Sequence, residues 1–170
     1  EGARKAVEAV RYPPLGERGG AGSTRAAGYG SVPWTEHMQT SNDEILLIVM
    51  TEDKRGLDEI ADIAAVPGVD VIALGPTDIS TALGLTDPAD PKLRDTFVEL
   101  AAKVNSVGNA RVYIPVNHAA CRFTPQDLIS MGVNYCSVAP APPTSRLLLL
   151  WLRDAASRVV LQVGQPRRQQ

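Results

Sequence analysis

Few residues in this chain combine a reactive side chain with a position suited to chemistry. Glu52 follows the nearly continuous apolar run from Glu44 to Met50, and Asp78 follows a second run, Val69 to Leu74, and the tight turn Gly75-Pro76-Thr77-Asp78. Each carboxylate therefore stands just past the C-terminal end of a candidate buried strand, where parallel α/β folds gather their active groups. Two carboxylates converging in a dry mouth repel unless a cation or a shared proton resolves them. Oxygen ligands of this kind, completed by water, suit Mg²⁺ or Mn²⁺. The alternative is that each caps a helix, Asp78 the one beginning at Ile79. The same strand-end rule also selects Thr51, Asp53, Thr77, Asn117, His118, Pro140 and Ala141. His118 offers a general base or a ligand, or simply a satisfied histidine. Gly28-Tyr29-Gly30 follows no strand, so a phosphate-loop or dinucleotide reading fails on context.

The elements that must position these groups alternate. Ala3, Ala6, Val7 and Val10 fall on one helical face with no capping residue before them, so an upstream segment is expected. Residues 12–42 are rich in Gly, Pro and polar side chains and read as a long functional loop, with a short helix near Arg25 to Ala27. Strands follow over Glu44–Met50, Val69–Leu74, Val112–Val116 and Asn134–Ala139. Helices are predicted over Arg55–Ala65, Ile79–Leu83, Pro91–Ser106, from the Thr124 cap and Pro125 to Gly132, and over Ser145–Leu161. Residues 162–170 read as a disordered tail. This order predicts a parallel sheet with right-handed crossovers. Four βα units make either a small open α/β sheet or half of a (β/α)₈ barrel, whose full form needs about 250 residues.

Composition sets wider bounds. With 170 residues, 44% hydrophobic and 21% charged, the chain suits a single domain with a real core. A formal net charge of −2 with no basic helical stripe argues against nucleic acid. The longest apolar run, Leu147 to Leu152, is too short to span a membrane. Cys121 and Cys136 lack metal-site spacing and read as free thiols in a reducing cytoplasm.

Several motifs resemble one family. The run Arg11-Tyr12-Pro13-Pro14-Leu15-Gly16-Glu17-Arg18-Gly19 is similar to the YPPxGxRG loop of the HpcH/HpaI aldolases. The stretch from Glu52 through Leu57-Asp58-Glu59-Ile60 to Val66-Pro67-Gly68-Val69-Asp70 resembles that family's next conserved block. Gly75-Pro76-Thr77-Asp78-Ile79-Ser80, with Leu83-Gly84, resembles its "GPsDLs…lG" signature. The resemblance implies a (β/α)₈ barrel of which this chain carries strands five to eight. It implies that Glu52 and Asp78 hold a divalent metal, Mg²⁺ or Mn²⁺ with Co²⁺ a further candidate. That metal would bind pyruvate and stabilise its enolate for reversible aldol cleavage of a 4-hydroxy-2-oxo acid to pyruvate and an aldehyde. Substrate contacts are then expected from Gly75, Pro76, Thr77, Asp78 and Met50, with Pro14, Arg18 and Gly19 in a loop near the mouth.

The departures from the pattern matter as well. The family's general-base histidine and its pyruvate-binding arginine belong to the first half of the barrel, which these residues do not include, so the catalytic base is unassigned. Met50 stands where the family usually has Gln, and Thr51 where it has an apolar residue. A second reading is therefore a catalytically incomplete paralogue serving as an assembly or binding module, and a third is a citrate-type synthase on the same scaffold. A half barrel would leave apolar edges open, so self-association into a homo-oligomer is expected.

Overall fold

The computed structural model describes residues 1–137 and 160–161. Five parallel strands, in the order β1-β2-β3-β4-β5, form one sheet: Ile48–Thr51, Val71–Leu74, Arg111–Tyr113, Tyr135–Cys136 and Val160–Leu161. The helices are α1 Gly2–Val10, α2 Trp34–Glu44, α3 Lys54–Asp58, α4 Ile60–Ala64, α5 Pro76–Ala82, α6 Pro91–Val107 and α7 Pro125–Ser130. The expected α/β class with a parallel sheet is what the chain adopts.

Alternation along each strand divides the sheet into two faces. Ile72, Leu74, Val112, Ile114 and Cys136 point into one apolar core with Leu57, Ile60, Leu93, Phe97, Leu100, Val104 and Leu128 from the helices. Phe97 and Phe123 meet edge to face there, with ring centroids 5.2 Å apart. The residues between them, Ile48, Met50, Val71, Ala73, Arg111, Tyr113 and Tyr135, lie outside that core and form the far face. On this face the edge strand β1 exposes Ile48 (40%) and Met50 (63%).

Helix α6 forms where its signals are strongest. Asp90 caps it by accepting from the Lys92 amide at 2.9 Å, Pro91 opens it, and Gly108 at φ 81° ends it in the left-handed region that favours glycine. Helix α7 starts on a capping box: the Thr124 hydroxyl accepts from the Asp127 amide at 3.2 Å, and the Asp127 carboxylate accepts from the Thr124 amide at 2.9 Å. Asp127 also pairs with Arg94 at 2.7 Å, fastening α7 to α6.

The strand expected over Glu44–Met50 begins only at Ile48, because Glu44 ends α2, and the helix expected over Arg55–Ala65 is two, α3 and α4. Two larger expectations change as well. Residues 12–42 are not loop throughout, because the eleven-residue helix α2 begins at Trp34. Its sequence, WTEHMQTSNDE, buries only His37 and so carries no apolar stripe to announce a helix. The final helix does not run through Leu161, since Val160–Leu161 pairs with β4 as a strand. An apolar run rich in Leu and Val is ambiguous by periodicity alone. The rest of that stretch, and residues 162–170, lie outside the described residues.

The Thr124–Asp127 box gives a test. The Thr124 side chain, then the Thr124 backbone amide, then Arg94 hold the Asp127 carboxyl below the usual carboxylate range. The resulting stabilisation is present above the ordinary carboxylate pKa and is lost as pH falls through the lower folded value. Thr124→Ala should cost about 1 kcal/mol in urea unfolding at neutral pH. The loss relative to wild type should shrink in acid, once Asp127 is protonated.

Candidate active site

The site is built by the pairing of β1 with β2. Their parallel register sets Met50 beside Ala73 and Thr51 beside Leu74. One residue further, Glu52 falls beside Gly75. A Cβ built on Gly75 would lie 2.8 Å from Glu52 Oε2 and 3.4 Å from its Cβ. The Glu52 side chain therefore runs across the end of β2, over the bare glycine backbone.

Gly75 is also the residue before α5, so Asp78 lies in the first turn of that helix rather than at its cap. Pro76 has no amide hydrogen, and the Ile79 amide bonds the Gly75 carbonyl at 3.0 Å. Among the described residues, the Thr77 and Asp78 amides are left as the free donors of the first turn, at the end of the helix that favours anions. Glu52 is not a cap either. Asp53 takes that role for α3, accepting from the Gly56 amide at 2.6 Å. Among the described residues, neither Glu52 nor Asp78 has a hydrogen-bonding or ion-pair partner, and Asp78 is exposed while Glu52 is half-buried. Two unpaired carboxylates flanking a glycine suit a hard divalent cation completed by water and substrate oxygens. No group of three or more His, Cys, Asp or Glu that could hold a metal occurs among the described residues.

Other residues selected at strand ends have different duties. The Thr51 side chain turns to the helix layer, where its Cγ2 lies 3.0 Å from a Cβ built on Gly56. Its buried hydroxyl has no hydrogen-bond partner among the described residues. His118 sits in a turn, its Nδ1 accepting from the Ala120 amide at 3.2 Å. Burial pushes the Cys121 and Cys136 thiols up, so neither is a ready thiolate. Pro140 and Ala141 lie outside the described residues.

The loop carrying Pro14, Arg18 and Gly19 is not beside this mouth. Arg11 bonds the Asn42 carbonyl and pairs with Asp70 at 3.4 Å, and Asp70 accepts from the Leu47 amide at 2.7 Å. Asn42 in turn clasps the Tyr12 backbone through bonds of 2.7 and 3.0 Å. Asp70 and Leu47 precede β2 and β1, so the loop is tied to the N-terminal ends of the strands, whereas Glu52 and Asp78 follow their C-terminal ends. Arg18 lies over the Tyr12 ring at 4.7 Å, within a cluster that also holds Trp34 and the buried His37. A helix antiparallel to the strands returns the chain to their starting end, which sequence similarity of the loop alone does not reveal.

The strand-end rule also passes over Tyr113 and Ser137. Tyr113 lies within β3 and Ser137 just beyond β4, and their hydroxyls meet at 2.5 Å on the far face. Only alternation counted from Met50 through Ala73 to Tyr113 and Tyr135 places them with Glu52.

A family model described as "HpcH/HpaI aldolase/citrate lyase" matches residues 1–139. The chain belongs to that family. Among the HpcH/HpaI proteins it resembles is the 2-keto-3-deoxy-L-rhamnonate aldolase of Klebsiella pneumoniae, 34% identical over 140 residues, covering 81% of this chain and 50% of the relative. The hydroxypyruvate/pyruvate aldolase of Sagittula stellata is 40% identical over 107 residues, covering 62% and 42% respectively. The solved structure of a family member from Burkholderia cenocepacia superposes with a TM-score of 0.71 at 30% identity, covering 90% of this chain and 60% of that one. The chain thus spans about half the length of the curated relatives it matches.

Thr51 supplies a test of the local packing. Replacing its unpartnered buried hydroxyl with a methyl of similar shape, Thr51→Val, should raise unfolding free energy by about 1 kcal/mol, read from thermal or urea melts.

Proposed function

We propose that this chain carries the metal- and oxo-acid-binding half of a carbon–carbon lyase of the metal-dependent aldolase type, acting on a 4-hydroxy-2-oxo acid to give pyruvate and an aldehyde. The observation that carries the reading is Glu52 laid across Gly75 beside the first turn that holds Asp78. Family membership and the aldolase names of the relatives support it.

In this reading the two carboxylates hold Mg²⁺ or Mn²⁺, which when bound supplies Lewis-acid polarisation of the substrate carbonyl. Gly75 leaves room for Glu52 to lean over β2. The Thr77 and Asp78 amides receive the substrate carboxylate. Met50, two residues before Glu52 on the same strand face, offers an apolar wall beside the oxo acid. The general base is assigned to none of these residues. We place the chain as one domain forming strands five to eight of a (β/α)₈ barrel, working in the cytoplasm. The free, buried Cys121 and Cys136 support a reducing compartment, and no helix among the described residues is long and apolar enough to cross a membrane. The exposed Ile48 and Met50 on edge strand β1 favour self-association. A binding or assembly module is the second reading, favoured by Met50 in place of a hydrogen-bonding side chain.

Mn²⁺ titration by calorimetry separates the two. Wild type should bind, Glu52→Gln and Asp78→Asn should each weaken binding at least tenfold, and Gly75→Ala should weaken it severalfold by displacing the Glu52 carboxylate. Indistinguishable titrations across the set would remove the metal assignment. Sedimentation should give a mass above one chain, and a monodisperse monomer would refute self-association.

A further inference from the structure

The far face of the sheet changes character from one side to the other. On β1 and β2 it carries Ile48, Met50, Val71 and Ala73, all apolar. On β3 and β4 it carries Tyr113, Tyr135 and, one alternation later, Ser137. Register places Met50, Ala73, Tyr113 and Tyr135 in one row across the four strands. The next row in the direction of the strands contains Glu52, Gly75 and Ser137. The Tyr113 side chain starts in the lower row, yet its hydroxyl meets that of Ser137 in the upper one, at 2.5 Å. Both hydroxyls are therefore level with the Glu52 carboxylate.

The lateral distance is short. Glu52 leans off its own strand so that Oε2 lies 2.8 Å from a Cβ built on Gly75, which puts the carboxylate over β2. The Tyr113–Ser137 pair sits over β3 and β4, one to two strand spacings away, roughly 5–10 Å. A 2-oxo acid anchored at Glu52 would extend its chain across that gap. Its methylene carbons would pass the apolar row, and a hydroxyl carried further along would reach the pair. In the pair one hydroxyl donates to the other, which leaves one O–H and further lone pairs without a partner among the described residues. Both residues are half-buried, so these groups are neither sealed in the core nor fully hydrated.

Resting on the aldolase reading above, we propose that Tyr113 and Ser137 are specificity-determining residues that bind the hydroxyl of the substrate beyond its 2-oxo acid end. They discriminate a hydroxylated chain from an aliphatic one of equal length. A hydrogen-bonding pocket discriminates because its polar groups are left unpaired by a ligand that lacks the hydroxyl.

The test uses the full chain loaded with Mn²⁺ and two ligands of one length, 4-hydroxy-2-oxopentanoate and 2-oxopentanoate, with binding read by calorimetry. Wild type should prefer the hydroxylated ligand by about tenfold. Tyr113→Phe keeps the ring contact with Tyr135, whose centroid is 5.7 Å away, and removes only the hydroxyl. That variant and Ser137→Ala should each bring the preference below about twofold, leaving 2-oxopentanoate affinity unchanged. The proposal is overturned if wild type binds both ligands without preference, if both variants keep the preference, or if they weaken both ligands equally. Failure of the aldolase reading, which takes the proposal with it, looks different: wild type would bind neither ligand, or would bind both with an affinity that Glu52→Gln leaves untouched.

Discussion

The candidate site depends on the parallel register between β1 and β2. With Met50 beside Ala73 and Thr51 beside Leu74, Glu52 meets a glycine at the one point where it must cross to the next strand. A one-residue slip would exchange the faces of every side chain on β1. Thr51 would then enter the mouth and Glu52 would be driven into the helix-facing core, where an unpaired carboxylate is costly. The register is held from outside the strands as well. Asp70 accepts from the Leu47 amide and pairs with Arg11, so the starts of β1 and β2 are pinned together before the ladder begins.

That pinning explains the work of the long segment between α1 and β1. Its motif residues do not reach toward Glu52. They close the opposite end of the sheet, with Asn42 clasping the Tyr12 backbone and Arg18 lying over the Tyr12 ring. The two ends of the strands thus differ as they do in barrel and doubly wound folds, where one end serves stability and active groups gather at the other. Polar groups at the stabilising end are satisfied by one another, while Glu52 and Asp78 at the other end have no partner among the described residues. An unpaired pair of carboxylates is a poor device for stability and a suitable one for holding a cation.

Much of the framework was legible in the sequence. Buried parallel strands read as unbroken apolar runs, and Val71–Leu74 is buried at every position. The apolar stripe of Leu93, Phe97, Leu100, Ala101 and Val104 announced α6, and Thr124-Pro125 announced α7 because capping is local chemistry, decided by side chains within three residues of the helix start. Helix α2 gave no such sign, since a polar helix held by its surroundings has neither an apolar stripe nor a side-chain cap. The pair at Val160–Leu161 gave a misleading one, because strand pairing there is decided by β4 rather than by the residues themselves.

For the site, the sequence by itself determined which carboxylates stand at strand ends, and the motifs around them determined the family. It could not say that Asp53, one residue from Glu52, spends its carboxylate on a helix cap, nor that Thr51 turns to the helix layer. Tertiary structure alone decided that Glu52 lies across Gly75, that the loop of Arg18 is tied to the opposite end of the strands from Glu52, and that Tyr113 and Ser137 share a face with Glu52. The physical reason is one of range. Caps and apolar runs are fixed by neighbours in the chain, whereas the face and end on which a side chain acts are fixed by pairing with strands tens of residues away.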